Sequence, residues 1–299
     1  MTGIKGNAVI QTTSVTPARV RLFQPTKRPT HRDKDGEWLV TAWGRCRVGG
    51  RLGQRHADLL ETILYCAERR REEEDKTIKL LVDPARIRRV MGRKYSLEQV
   101  WTLLGELCGA VVEIESCHLN TTERIMGPVV AVAKYTRTET REDPWAGRER
   151  RKNPTGRSTR RLLTVRLGEA WTTLMRLDLP VYYDPTPLCR IRYGISKAIA
   201  RHILTHRAEP QGGWTLDGLI AAVAGELNGD RRRKERDRVR KDALKLAAVG
   251  IGVCGGRVRR EPQGVPHPPQ GVPYPPRDVP HPPQRVPHPP QDPGSLQDL

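Results

Sequence analysis

Residues 231–250, RRRKERDRVRKDALKLAAVG, decide how the chain is read. The first eleven, Arg231 to Lys241, carry eight basic side chains against two acids. On a helix turning about 100° per residue, Lys234, Arg238, Lys241 and Lys245 fall within about 60° of one another, while Val239, Ala243 and Leu246 point the opposite way. One side can be buried while the other presents cations at one-turn spacing. A helix laid in a DNA groove needs that arrangement, with phosphates neutralised along its length and Lys and Arg donors near base edges. The alternative is a solvated basic face on an ordinary helix, and what surrounds the helix decides between them.

The whole chain shares the bias. Its 299 residues carry a formal net charge of +19, which favours a polyanionic partner, and the length favours two domains over one. Membrane surface is the competing polyanion, but no apolar run approaches the roughly 18 residues of a spanning helix; GAVVEI and GPVVAVA have strand length. The first 30 residues contain no hydrophobic signal region, so the expected location is the bacterial cytoplasm, with no membrane partner. The six cysteines stand singly with no C-x-x-C pair. That spacing is poor for zinc or for a disulfide framework, and no cofactor or metal is expected.

The order of elements places the basic helix. Residues 1–37 are polar, basic and without period, and read as a mobile arm. A first domain is expected over 38–137. WLVTAW alternates as a strand, residues 53–74 read as one helix, and TIKLLV as a short strand. DPARIRRVMG is a helix capped by Asp83 with Pro84 at its first position. SLEQVWTLLGELCG follows, opened by the capping-box pair Ser96 and Gln99. AVVEIES and IMGPVVAVAKYT then form a hairpin about a polar turn. Residues 138–160 have almost no apolar side chain and read as a linker. A second domain is expected over 161–260: strand RLLTVRL, helix EAWTTLMRL, extended LPVYY, helix SKAIARHILTHRA, helix WTLDGLIAAVAG opened by Thr215 or Asp217, the basic helix capped by Asp230, and two strands about Gly255-Gly256. Helix, short strand, helix–turn–helix and hairpin, met twice, predict an α+β fold of tandem winged-helix domains with a disordered N-terminal arm and a proline-rich C-terminal tail.

The tail, 261–299, holds four near-identical heptads: VPHPPQG, VPYPPRD, VPHPPQR and VPHPPQD. Three prolines in seven residues exclude helix and sheet and leave an extended, disordered segment. Seven codons span about 21 base pairs, close to two turns of B-DNA. The tail is therefore also readable as the translation of a direct-repeat array in the gene itself.

The stretch LTVRLGEAWTTLMRL…LCRIRYGISKAIARHILTH…WTLDGLIAAVAGELNGDRRRKERDRVRKDALKLAAVGI resembles iteron-binding replication initiators of broad-host-range plasmids. It is most similar to the RepC type of IncQ-like plasmids and more distantly to the TrfA type. The likeness extends back to RLGQRHADLLETILYCAE and VDPARIRRVMGRKYSLEQVWTLLGELCGAVVEIES, covering roughly 38–258. The resemblance implies binding of tandem double-stranded origin repeats, opening of an adjacent AT-rich segment, and recruitment of a replicative helicase and a primase. It also implies dimers off DNA and monomers on repeats, with the first domain supplying the dimer contact.

Within that frame Lys234, Arg238 and Lys241 are expected in the major groove, with Lys245 on the same face and Arg231 near the helix start. Arg233 and Arg240 are expected on phosphate, and Arg257, Arg259 and Arg260 on backbone or an adjacent minor groove. Asp237 is either an acceptor for a cytosine amine or an intrahelical partner of Lys241. In the first domain Glu98, Gln99, Thr102 and Glu106 make a face unsuited to phosphate, while Arg86, Arg88 and Arg89 remain able to touch backbone. An enzyme is not expected. A nicking initiator needs a Tyr nucleophile with a His-x-His metal site, and Tyr182-Tyr183 has no such motif beside it. No G-x-x-x-x-G-K-[ST] loop is present either. The rival reading is a winged-helix transcriptional or copy-control repressor using the same contacts.

Overall fold

The computed structural model describes residues 11–26, 28–33, 35–92, 95–119, 124–136 and 162–261; the expected linker and the heptad tail lie outside them. The described chain is an α+β fold of helices and antiparallel sheets around two hydrophobic cores.

It enters through β1 (Thr13–Ser14) and the short helix α1 (Val15–Arg19). This corrects the expected mobile arm over 1–37, because residues 11–26 are packed into the fold. Leu22 and Phe23 are buried, Phe23 edge-on to Trp171 at 6.0 Å. The polar groups beside them are matched. Trp43 Nε1 donates to Thr16 Oγ1 at 3.0 Å, Gln54 Nε2 to the Phe23 carbonyl at 2.9 Å, and the Gln24 amide to the Leu52 carbonyl at 2.9 Å. An irregular segment held by two apolar anchors leaves no periodicity to read.

The first core is built from β2 (Leu39–Thr41), β3 (Gly44–Gly49), α2 (Gln54–Cys66), β4 (Ala67–Glu72), β5 (Ile78–Val82), α3 (Pro84–Met91), α4 (Leu97–Gly109), β6 (Val111–Glu115), β7 (Arg124–Pro128), β8 (Val130–Thr136), β9 (Leu162–Leu167) and α5 (Glu169–Leu177). The expected caps are in place. Asp83 Oδ1 accepts from Ala85 N at 2.9 Å, and Ser96 and Gln99 exchange bonds of 3.1 and 3.0 Å.

Three expectations change here. The helix expected over 53–74 ends at Cys66, and AERRRE becomes β4, laddered antiparallel on β5 from Ala67↔Val82 to Glu72↔Ile78. The strand expected over IMGPVVAVAKYT divides at Val129, whose amide donates to the Ala110 carbonyl at 3.0 Å. Its first half, β7, pairs with β6, and its second, β8, pairs with β9. Finally β9, expected to open a second domain at 161, lies between β5 and β8. Its alternate side chains Leu163, Val165 and Leu167 are buried in the first core, with Trp171 and Leu174 of α5. A strand that buries one face and lacks a ladder of its own must borrow one. The resulting sheets run β2-β3-β6-β7 and β4-β5-β9-β8.

After β10 (Pro180–Val181), which pairs with β1, the second core begins. It comprises α6 (Pro185–Arg190), α7 (Gly194–Leu204), β11 (Trp214–Thr215), α8 (Leu216–Ala224), α9 (Gly229–Lys241), α10 (Ala243–Ala247), β12 (Ile251–Cys254) and β13 (Arg257–Arg260), with sheet order β11-β13-β12. Helix α6 was not anticipated, although Asp184-Pro185 repeats the Asp83-Pro84 start: the Asp184 carboxylate accepts from Thr186 N at 2.8 Å. Of the two expected caps for α8, Thr215 serves, its Oγ1 accepting from Gly218 N at 3.2 Å. The six cysteines are free thiols, and no described helix is long and apolar enough to cross a membrane.

The cores meet where α2 lies against α7. Helix α2 is buried nearly all round, including the polar Gln54, Asp58 and Glu61, and such groups need partners. Arg201 of α7, only 2% exposed, supplies them. It donates to Glu61 through Nε and Nη2 at 2.8 and 2.7 Å, to Asp58 through Nη2 at 2.8 Å, and to Gln54 Oε1 through Nη1 at 2.7 Å. Lys197 donates to Asp58 and, at 3.3 Å, to the Cys189 carbonyl. Burial by itself raises the Asp58 carboxyl; Lys197 and Arg201 outweigh it and hold its pKa below the ordinary 3.8.

Asp58→Asn leaves the buried Lys197 without its carboxylate and Arg201 with Glu61 alone, and is expected to cost about 3–5 kcal/mol. Because folding depresses the Asp58 pKa, its contribution is complete above pH 3.8 and is lost as pH falls through the lower folded value. Denaturant unfolding followed from pH 6 downward should therefore show a steeper acid loss in the native chain than in D58N; equal slopes would contradict the assignment.

Candidate nucleic-acid interface

Helix α9 starts at Asn228, not at the expected Asp230: Asn228 Oδ1 accepts from Arg231 N at 3.0 Å. It buries one side chain, Val239, and packs against α7, α8 and α10. So small an apolar contact needs polar help. Arg236 forks onto Asp217 of α8, Nε to Oδ1 at 2.5 Å and Nη2 to Oδ2 at 2.6 Å. That bidentate bond holds the Asp217 pKa below, and the Arg236 pKa above, their ordinary values. Arg232 Nη2 donates to the Leu227 carbonyl at 3.2 Å.

The helix stops at Asp242, so the expected continuous rod through Lys245 is two pieces. Asp242 is buried, and its carboxylate accepts from the backbone amides of Tyr193 (2.8 Å) and Arg192 (3.3 Å) at the start of α7. An aspartate that finds backbone donors elsewhere competes with helix continuation. Lys245 consequently sits on α10, 3.8 Å from Asp242.

Arg231, Arg233, Lys234, Arg238, Arg240 and Lys241 are all exposed on α9, with Lys234 and Lys241 farthest round the helix from the buried Val239. Arg238 pairs with Glu235 at 2.5 Å and Arg240 with Asp237 at 3.3 Å, both at i,i+3 spacing. Asp237 therefore partners Arg240 and not Lys241. Such solvated pairs are worth a few tenths of a kcal/mol to about 1 kcal/mol and yield readily to a phosphate. Arg231, Arg233, Lys234 and Lys241 have no ion pair among the described residues.

In the β12–β13 hairpin the turn residues Gly255 (φ +54°) and Gly256 (φ +79°) occupy the left-handed region that glycine tolerates. Strand alternation then sorts the arginines. Arg257 and Arg259 are exposed, while Val258 is buried. Arg260 turns inward, a correction to its expected DNA contact. Its Nη2 donates to the Ile203 carbonyl at 2.5 Å and to that of His206, closing the end of α7, and its amide donates to Glu209 Oε2 at 2.8 Å.

Arg86, Arg88 and Arg89 are exposed on α3, with Arg88 Nε donating to the Tyr95 carbonyl at 3.1 Å. Helix α3 packs on α2 and α6, and α9 on α7, α8 and α10. The face expected to be unsuited to phosphate is engaged in its own contacts: Gln99 in the cap, Thr102 on the Glu98 carbonyl, and Glu106 against His56 at 2.5 Å. Sequence reasoning missed Arg21 and Arg32. Both line a cleft of about 490 Å3 together with Arg231, Lys234 and Arg238. The buried Leu22-Phe23 pair amid PARVRLFQPTKRPTHR was the available sign that this basic segment docks.

The two aspartates that seat α9 should separate experimentally. Asp217→Ala removes a half-exposed pair; it should change stability by under about 1 kcal/mol while raising amide exchange along 229–241. Asp242→Ala orphans two amides at the start of α7 and should cost about 1–3 kcal/mol. Indistinguishable denaturation midpoints for the two variants would contradict this division.

Comparison of the chain with protein-family models, with characterised proteins and with solved structures returns no match to any of the three.

Proposed function

We propose that the chain is a plasmid replication initiator that binds tandem duplex repeats at an origin through α9. The observation that carries this is the row of exposed cations on α9 backed by a β-hairpin with two outward arginines. We read the order α7, β11, α8, α9, α10, β12, β13, with sheet order β11-β13-β12, as that of a winged helix. On that reading α9 enters the major groove. Arg231, Lys234, Arg238 and Lys241 approach base edges, Arg233 and Arg240 meet phosphates, and Arg257 and Arg259 hold the flanking backbone. Arg86, Arg88 and Arg89 add sequence-independent backbone attraction from α3.

Initiation, as distinct from binding, draws its support from the likeness to iteron-binding initiators. Origin opening and helicase and primase recruitment belong to that likeness alone. Self-association has exposed apolar side chains to work with in the first half: Leu97 and Trp101 of α4, the latter stacked on Tyr135 at 5.0 Å.

Arg238→Ala should weaken binding to a repeat-bearing duplex by about 1–3 kcal/mol and relax sequence preference, as loss of a bidentate base contact does. Arg259→Ala should weaken repeat and random duplex alike and shallow the salt dependence by about one unit. Titrations of both at two salt concentrations check this, and identical behaviour would refute the division of roles. Supplying the gene in trans to an origin fragment tests initiation itself. Maintenance is expected, whereas binding without maintenance would leave a repressor.

A further inference from the structure

The cleft between the entering segment and α9 gathers like charges. Arg21 and Arg32 line one side, and Arg231, Lys234 and Arg238 the other. The one carboxylate among the lining residues, Glu235, accepts from Arg238 through Oε1, while its Oε2 is buried with no hydrogen-bond partner among the described residues. Ile195, Val223, Ala224 and Leu227 also line the cleft, and apolar lining strengthens any charge interaction made beside it.

The cations are placed by structure. Gln24 closes the loop that carries them, its Nε2 donating to the Thr30 carbonyl at 2.7 Å and its Oε1 accepting from Thr30 N at 3.1 Å. Arg32 is fixed by its backbone pairing with Gly50 and by Nη1 donating to the Arg21 carbonyl at 2.6 Å. The Arg21 guanidinium lies against Gly225, at φ +77°, where a Cβ would stand 2.5 Å from Nη1. Burial first, and the Arg21 charge second, pull the Arg32 pKa below its ordinary value. Among the described residues nothing anionic answers Arg21, Arg231 or Lys234.

We infer that this cleft is a phosphate-binding site that takes the sugar–phosphate backbone of the duplex engaged by α9, with Arg21 and Arg32 as its sequence-independent anchors. The inference rests on the duplex-binding reading of α9. Arg231, Lys234 and Arg238 belong both to the cleft and to the exposed face of α9, so a backbone seated here continues directly from the groove that α9 would fill. A free polyphosphate has the same oxyanion chemistry and is the competing source.

The test uses the full chain and two variants, Arg21→Gln and Arg21→Lys, whose thermal unfolding should match the native chain because the Arg21 side chain has no hydrogen bond or ion pair among the described residues. Affinity for a repeat-bearing duplex and for its scrambled counterpart is measured across a salt series. R21Q should reduce the slope of log Kd against log salt by about one unit on both duplexes, and R21K should restore it. A native slope in R21Q overturns the cleft assignment while leaving α9 as the reader. No duplex binding by the native chain removes both. In a second arm inorganic tripolyphosphate is titrated without DNA. Binding no tighter than its ionic strength explains, and equal in R21Q, is expected. Saturable tripolyphosphate binding that R21Q weakens tenfold would transfer the site to a free polyphosphate and overturn the backbone assignment.

Discussion

The ion network between α2 and α7 is the constraint on which the rest depends. Asp58, Glu61, Lys197 and Arg201 are sealed from water, two charges of each sign. Taking four charges out of water is costly, and their mutual attraction offsets this only if the donors and acceptors meet in one geometry. An apolar contact of similar area would tolerate sliding; a forked arginine on two carboxylates and an amide does not. We therefore read the network as a device that sets the register of one half of the chain on the other.

Helix α7 carries that register outward from both ends. At its start the amides of Arg192 and Tyr193 hold Asp242, where α9 stops. At its end the Ile203 and His206 carbonyls hold Arg260 and hence the β12–β13 hairpin. Thr205, next along, receives Arg19 through its carbonyl at 2.7 Å and its hydroxyl at 3.1 Å, tying in the entering segment. Basic helix, hairpin and N-terminal cations are thus all positioned from one element. This suits a surface whose own cohesion is poor: α9 buries a single side chain, and its like charges repel.

What the sequence disclosed was local. The opposition of Val239 to Lys234 and Lys241 on α9, the Ser96–Gln99 box, the Asp83-Pro84 start and the Gly255-Gly256 turn are each set by neighbours within a few residues. What it hid was long-range. Nothing near Ala67 says that AERRRE will ladder on β5, because the same charges suit a helix face. Nothing near Leu162 says that β9 will lie between β5 and β8, across a long stretch of polar chain. Arg260 and Arg259 look alike in composition, and only strand alternation and the end of α7 separate a clamp from an exposed cation. Asp242 reads as an ordinary helical acid until the two amides it accepts from are known. In the candidate site, the α9 face was legible, and its partners Arg21 and Arg32 were not, since they sit some two hundred residues earlier in a segment without period.

The central claim is that the α9 cations, held in this frame, bind duplex repeats. The most direct measurement is the affinity of the full chain carrying Lys234→Gln, Arg238→Gln and Lys241→Gln together for a tandem-repeat duplex, with amide exchange of α7 as the control for an intact frame. The account predicts that repeat binding falls to the level of random duplex while α7 stays protected; undiminished repeat binding with α7 equally protected would contradict it.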